Sequence, residues 1–347
     1  MIMGAVDSGQ HDVDLLIVGA GPCGLAAAIS AQRAGLRARV LDAGAVASTI
    51  TQYPYYVKFF STAEKLALGG MPFLVAEDKP TRREGLAYYR AVVRHFGLDV
   101  HQYERVSRLE RSPRGWVVHS ETIEGERHGT SARAVCVATG YFGSPNLLGV
   151  PGESLPHVAH VYREGHGAYD QDVVVVGGGN SAAEATLDLW RAGARVTLVH
   201  FGPTWDKKIK PWVLPDVENR MQEGAIGARW DSRVTSIAPG SVTVRGPAGE
   251  ERLAARFVFV MTGFAPNTTL LAEAGVPIDP VTGIPQHDPT TLETTEPGLF
   301  VAGVVVAGYD ANKIFIENGR FHGDQIVARL LGQAAPAAPR LSAELDT

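Results

Sequence analysis

Apolar residues along this chain gather in short unbroken runs, most of them closed by glycine, with helical stretches between. The segment "VDLLIVGAGPCGLAAAISAQRAGLRARVLDAG" opens with a run of strand length and passes through a glycine turn. It continues as an Ala- and Leu-rich helix and ends in a second apolar run, the periodicity of strand, helix and strand. Further along, "QDVVVVGGGNSAAEATLDLWRAGARVTLVHFG" repeats the same order. Each predicted helix stops at an Ala-Gly pair, Ala34-Gly35 and Ala192-Gly193, where glycine supplies a left-handed cap.

Three more runs place these units in an architecture. "ARAVCVATGYFGSPNLLGVPGE" predicts a strand ending at Thr139-Gly140, followed by a Pro/Gly-rich connector. "ARFVFVMTGFAPNTTLL" predicts another, ending at Thr262-Gly263. "GLFVAGVVVAGYDANKIFIENGRFHGDQIVARLL" predicts a closing strand and a helix over 313–331 that buries Ile314, Phe315, Ile326, Val327, Leu330 and Leu331. The expected fold is α/β, with two Rossmann-like dinucleotide-binding domains, one inserted into the other. The first domain is expected over 12–155 and 269–332 and the second over 156–268, with 1–11 and 333–347 as disordered tails.

Composition narrows the function. A chain of 347 residues favours two domains, and 45% hydrophobic with 20% charged residues describes an ordinary globular protein. The net charge of −5 argues against a nucleic-acid partner, which needs excess clustered cations. The longest apolar run, "LFVAGVVVAGY", falls short of the ~20 residues of a membrane helix. With Cys23 and Cys136 as the only cysteines there is no disulfide framework, and a reducing cytoplasm is the expected location. The first residues lack the basic start and apolar core of a signal peptide, and no His/Glu spacing points to a metal.

The glycine turns carry the first chemistry. Gly19 and Gly177 are placed to make tight turns, and Gly21 and Gly179 to let backbone approach a pyrophosphate. Gly24 and Ala182 keep each helix close to its sheet, and the amides opening the helix face the anion. The second strands then diverge. Asp42 stands where a carboxylate binds both hydroxyls of an adenosine ribose. In the second unit that place is taken by His200, with Lys207, Lys208 and Lys210 shortly after, which favours NADP(H) over NAD(H).

The paired glycine turns, the two Thr-Gly motifs and the closing "GLFVAG" resemble the low-molecular-weight thioredoxin reductase fold, an FAD domain interrupted by an NADPH domain. The resemblance implies FAD contacts from Gly19, Gly21, Pro22, Cys23, Gly24, Asp42, Gln52, Ser61, Thr62, Val106, Thr139, Gly140, Gly303, Lys313 and Ile314. It implies NADPH contacts from Gly177, Gly179, Asn180, Ser181, Ala182, Glu184, His200, Lys207, Lys208 and Gly263. The chain departs from that fold's usual enzyme, because residues 172–260 contain no cysteine and no internal dithiol relay can form. Val304 follows Gly303 where an Asp is usual, and Phe201 follows His200 where an Arg is common, leaving the 2′-phosphate to the lysines.

Longer stretches are similar to a narrower family, the YpdA-type bacillithiol disulfide reductases: "GPCGL", "YPYYVKFFSTAEKLALGGMPF", "GGGNSAAEA", "IKPWVLPDVENRMQEGAI" and "AGYDANKIFIENGRFHG". This likeness implies an NADPH-dependent flavoprotein that reduces the disulfide of a small thiol, with Cys23 as the catalytic residue through a mixed disulfide. It also implies a homo-oligomer. From the residue alone two readings of Cys23 stay open. The helix macrodipole favours thiolate by about 0.3–1 kcal/mol, whereas a nearby pyrophosphate opposes it. The other reading is a small buried thiol in place of Ala. Cys136, inside an apolar strand, reads as inert core. Two other functions fit a fold without the dithiol: a ferredoxin/flavodoxin-NADP reductase, and a non-catalytic flavin redox sensor.

Overall fold

The computed structural model describes residues 11–206, 209–310, 313–334 and 336. The tail segments 1–10 and 337–347 lie outside the described residues. The chain divides into two compact units, one of residues up to Thr51 with Lys58–Ser144 and Ala265 onward, the other of Gln52–Val57 and Pro145–Phe264.

The first unit begins with β1 (Val13–Val18), α1 (Pro22–Arg33) and β2 (Ala38–Asp42). Two further helices follow, α2 (Ala63–Leu66) and α3 (Arg82–Phe96). Then come β3 (Val100–Gln102), β4 (Glu104–Ser112), β5 (Gly115–Thr122) and β6 (Arg127–Val137). Their order in the sheet is β3-β2-β1-β6-β5-β4. Central β1 pairs in parallel with both β2 and β6, with Leu16 opposite Arg39 and Val135. That position explains its unbroken hydrophobicity, since a parallel strand covered on both faces buries nearly every side chain. The first half of β6 pairs antiparallel with β5 and its second half parallel with β1, so one long strand joins a meander to the nucleotide-type sheet. Helix α3, which the sequence reading passed over, starts at a reciprocal cap. Thr81 Oγ1 accepts from Glu84 N–H and Glu84 accepts from Thr81 N–H.

The second unit repeats the plan. It contains β7 (Val158–Ala159), β8 (Asp172–Val176), α4 (Asn180–Arg191), β9 (Arg195–Val199), α5 (Leu214–Gln222) and β10 (Gly227–Arg229). A meander of β11 (Arg233–Ala238), β12 (Ser241–Gly246) and β13 (Gly249–Ala254) precedes β14 (Phe257–Val260). The parallel sheet runs β10-β9-β8-β14-β7, and the meander β11-β12-β13. Residues 145–155, expected with the first domain, belong here instead. Leu148, Val150 and Leu155 pack on the second unit's core, and Glu153 accepts the N–H groups of Leu148 and Gly149. A Pro/Gly-rich composition signalled a connector, but three of its apolar side chains find a sheet to cover.

The chain then returns to the first unit through α6 (Thr269–Glu273), β15 (Leu299–Val301), α7 (Ile316–Gly319) and α8 (His322–Leu330). β15 adds in parallel to β6, with Phe300 opposite Cys136. The single helix expected over 313–331 is two. The chain breaks at Arg320-Phe321, where Arg320 donates to Glu64 O and Ala67 O at the end of α2. Ile326 and Val327 are buried as expected, whereas Phe315 and Leu331 are exposed. Among the described residues no helix is long and apolar enough to cross a membrane.

Candidate functional site

In the first unit β1 delivers the chain to Gly19, whose φ of +115° only glycine takes without strain. A Cβ at Gly19 would lie 2.5 Å from Ala138 O, and one at Gly24 would run into Gly19 O. These two glycines are fixed by the protein itself. Gly21 is different, because a Cβ there would meet nothing within 4 Å. It caps α1 in extended conformation with Pro22 as the first helical residue, so the free N–H groups of the first turn open onto that space. A pyrophosphate fits such a cradle, and backbone approach is the reason for a glycine at this point.

Asp42 closes β2 and is already engaged, accepting Ala20 N–H at 2.6 Å and Gly44 N–H at 2.7 Å. It braces the turn through its own carboxylate, and its remaining lone pairs suit a ribose hydroxyl. Thr139, exposed, and Gly140 follow β6 directly, with Thr139 N 3.2 Å from where a Gly19 Cβ would stand. Thr62 is the residue before α2 and Ser61 precedes it. Val106 packs its side chain on the first unit's core from β4. Gln52 closes a short turn, Ser48–Gln52, and clusters with the second unit. Lys313 is exposed with Nζ 3.5 Å from Asp310, and Ile314 is half-buried; neither opens a helix, since α7 starts at Ile316.

Cys23 sits in the first turn of α1 with its sulfur against the closing strand and helix. A Cβ on Gly303 would come within 3.1 Å of Sγ and one on Gly319 within 2.7 Å. Burial of the sulfur pushes the thiol up to about 12, although the residue as a whole is half-exposed. A helix terminus worth under ~1 kcal/mol does not reverse a shift of that size. Cys136 is fully buried and its thiol is pushed up as well. Gly303 N–H donates to His322 Nδ1 at 3.1 Å, at the place where Val304 stands instead of a carboxylate. Burial, aided by His287, pushes His322 down to about 4, so the imidazole is neutral and holds its proton on Nε2.

The second unit shows the same turn with its own chemistry. A Cβ at Gly177 would run into Met261 O, and Ala182 packs beneath it. At Gly179 only Asp206 Oδ2 lies near, 3.6 Å from the added Cβ. Asn180 Oδ1 accepts the Lys210 N–H at 2.8 Å, Ser181 is exposed, and Gly263 has φ +83° beside Asn146. His200 is 3% exposed with its ring stacked over Gly178, and its Nε2 lies 3.6 Å from Asp206 Oδ1. Lys207 and Lys208 lie outside the described residues. Burial holds the Glu184 carboxyl above the usual carboxylate range, with Lys210 pulling it partly back. Nearby, Tyr162 OH donates to Asp188, and burial with the charges of Asp188 and Glu184 pushes the Tyr56 phenol up. Sequence reading missed this cluster, since Tyr56 and Tyr162 reach α4 from distant segments with no local motif.

Two glycine turns, each between a strand paired in parallel and a helix, define a protein that holds two dinucleotides. A family model described as pyridine nucleotide-disulphide oxidoreductase matches residues 16–303. The chain is 42% identical over 318 residues to the bacilliredoxin reductase Bdr of Bacillus subtilis, spanning 91% of this chain and 96% of that protein. A solved structure of bacillithiol disulfide reductase Bdr (YpdA) from Bacillus cereus matches with a TM-score of 0.90 at 41% identity, over 92% of this chain and 99% of that one. T. acidophilum thioredoxin reductase has the same fold, with a TM-score of 0.73 at 21% identity over 93% and 99% of the two chains. The chain belongs to the pyridine nucleotide-disulphide oxidoreductase family. It is an FAD oxidoreductase that draws on a nicotinamide dinucleotide.

Proposed function

We propose that the protein is a reductase of bacillithiol disulfide, with FAD held on the first unit's turn and NADPH on the second. The observation that carries this reading is the difference between neighbouring glycines. Gly19, Gly24 and Gly177 are required by the protein's own packing, whereas a Cβ at Gly21 would meet nothing and one at Gly179 only Asp206 Oδ2, at 3.6 Å. A glycine that the fold does not need is explained by a ligand that does. The substrate class follows from the relatives, which are named for bacillithiol disulfide and for bacilliredoxin.

In balance, NADPH and one proton reduce one disulfide to two thiols, giving NADP⁺. FAD, when bound, supplies the two-electron relay between nicotinamide and disulfide. The chain would position the partners: the amides opening α1 after Gly21 would hold the pyrophosphate, while Asp42 braces that turn and His322 fixes Gly303. The second unit has no cysteine over 172–260, so the disulfide that is reduced must be the substrate's own.

Cys23 keeps two readings: the mixed disulfide with substrate expected from the family likeness, and a small packed thiol pushed up to about 12, on a residue that is itself half-exposed. The test is NADPH consumption by FAD-loaded protein against bacillithiol, glutathione, cystine and coenzyme A disulfides, a bacillithiolated bacilliredoxin, and ferredoxin. Fastest turnover with bacillithiol disulfide is expected. Turnover with ferredoxin alone would move the protein to the electron-carrier class, and no turnover with any acceptor would make it a sensor.

A further inference from the structure

One arginine of the second unit stands beside the ribose position without a carboxylate partner among the described residues. Of the arginines on β10–β13, Arg229 pairs with Glu251 at 2.6 Å and Arg245 with Glu250 at 3.4 Å. Arg252 donates to Ser241 Oγ at 2.9 Å. Arg233 has no carboxylate partner among the described residues, and its guanidinium carbon lies 4.8 Å from the centre of the Phe201 ring. Phe201 is 60% exposed and follows His200 directly, at the end of the strand where adenosine specificity is set. The backbone ties the two places together. Ser232 N–H donates to His200 O and Asp231 N–H to Gly202 O, each at 2.9 Å. Stacking on an aromatic face holds a guanidinium flat and directs its N–H edge outward, the geometry for a bidentate phosphate contact. The carboxylate of Asp206, near the turn, lies toward His200 Nε2.

We propose that Arg233, stacked on Phe201, grips the 2′-phosphate of the coenzyme and sets the preference for NADPH over NADH. This rests on the NADPH reading above; Lys207 and Lys208, the grip expected from sequence, lie outside the described residues. Phe201 then serves as the platform for a cation supplied from β11.

The test compares FAD-loaded wild type, Arg233→Ala and Arg233→Lys in two measurements: kcat/KM with NADPH and with NADH, and calorimetric binding of 2′,5′-ADP and 5′-AMP. Wild type is expected to favour NADPH and 2′,5′-ADP. In Arg233→Ala that preference should fall about 10- to 100-fold, the usual weight of a charge-assisted phosphate contact, and Arg233→Lys should recover part of it. An unchanged ratio in Arg233→Ala overturns the proposal, as does an equal loss with both coenzymes, which marks a structural role. A wild type that binds 5′-AMP as well as 2′,5′-ADP sinks the NADPH reading itself, separately from the residue.

Discussion

His322 Nδ1 accepts the backbone N–H of Gly303 at 3.1 Å, so a neutral imidazole 7% exposed holds the turn that packs on Cys23. Protonation would remove that acceptor. The folded value near 4 lies below the ordinary 6.5, so the charged form is disfavoured only in the native state. Stability is therefore fully present above pH 6.5 and is lost as pH falls toward 4, to a limit of about 3 kcal/mol. Urea melts of wild type and His322→Asn at pH 7, 5.5 and 4.5 check this. Asparagine keeps an acceptor and does not titrate, so the wild type should lose ground to it as pH falls. His322→Leu, which leaves the N–H unpaired, should be less stable at every pH by about 1–3 kcal/mol.

The glycines give a second prediction. Gly21→Ala and Gly179→Ala should fold with melting points close to wild type in the absence of dinucleotides, since an added methyl meets no close atom. Gly21→Ala should be purified colourless and resist reconstitution with FAD, and Gly179→Ala should keep FAD but lose NADPH affinity. Gly24→Ala and Gly177→Ala, whose Cβ would strike backbone oxygens, should instead misfold or melt early. Absorbance at the flavin band and thermal melts read both. A yellow, normally reconstituted Gly21→Ala protein would remove FAD from this turn.

Much of this arrangement was legible in the sequence because it is local. A strand, a glycine turn and a helix lie within a dozen residues, and Gly19, Gly24, Gly177 and Ala182 take the places their spacing assigns. The features that were not legible depend on chain segments far apart. Arg233 reaches Phe201 from another strand, and Tyr162 reaches Asp188 from before β8. Cys23 illustrates a different limit. Its position at a helix start was readable, but the close packing of Gly303 and Gly319 against its sulfur was not. The cap of α3 was readable as Thr81-x-x-Glu84 and was simply passed over.

If Cys23 is only a packed thiol, as its raised value favours, Cys23→Ala is expected to retain disulfide reduction within about threefold of wild type, whereas the mixed-disulfide route expects that activity to be lost. Alkylation supplies an independent measure. Iodoacetamide at pH 7 should label native protein at neither Cys23 nor Cys136, and label both after denaturation, as read by intact mass. Rapid labelling of Cys23 in the folded protein, together with loss of reduction in Cys23→Ala, would return the mixed-disulfide route.

Glu184 supplies the last prediction, because the fold holds it at a cost. Its carboxyl lies above the ordinary 4.5 through burial, so the ionised form is the one the native state disfavours. Stability from this group is present below pH 4.5 and is lost as pH rises through its folded value. Glu184→Gln, neutral at every pH, should match wild type at pH 4 and gain on it as pH rises to 7.5, in urea melts at each pH. A half-buried acid held against stability beside a nucleotide turn is a candidate for coenzyme contact. The same variant should accordingly slow NADPH-dependent turnover while it melts later. A variant that gains stability and keeps full activity would leave Glu184 a tolerated burial and nothing more.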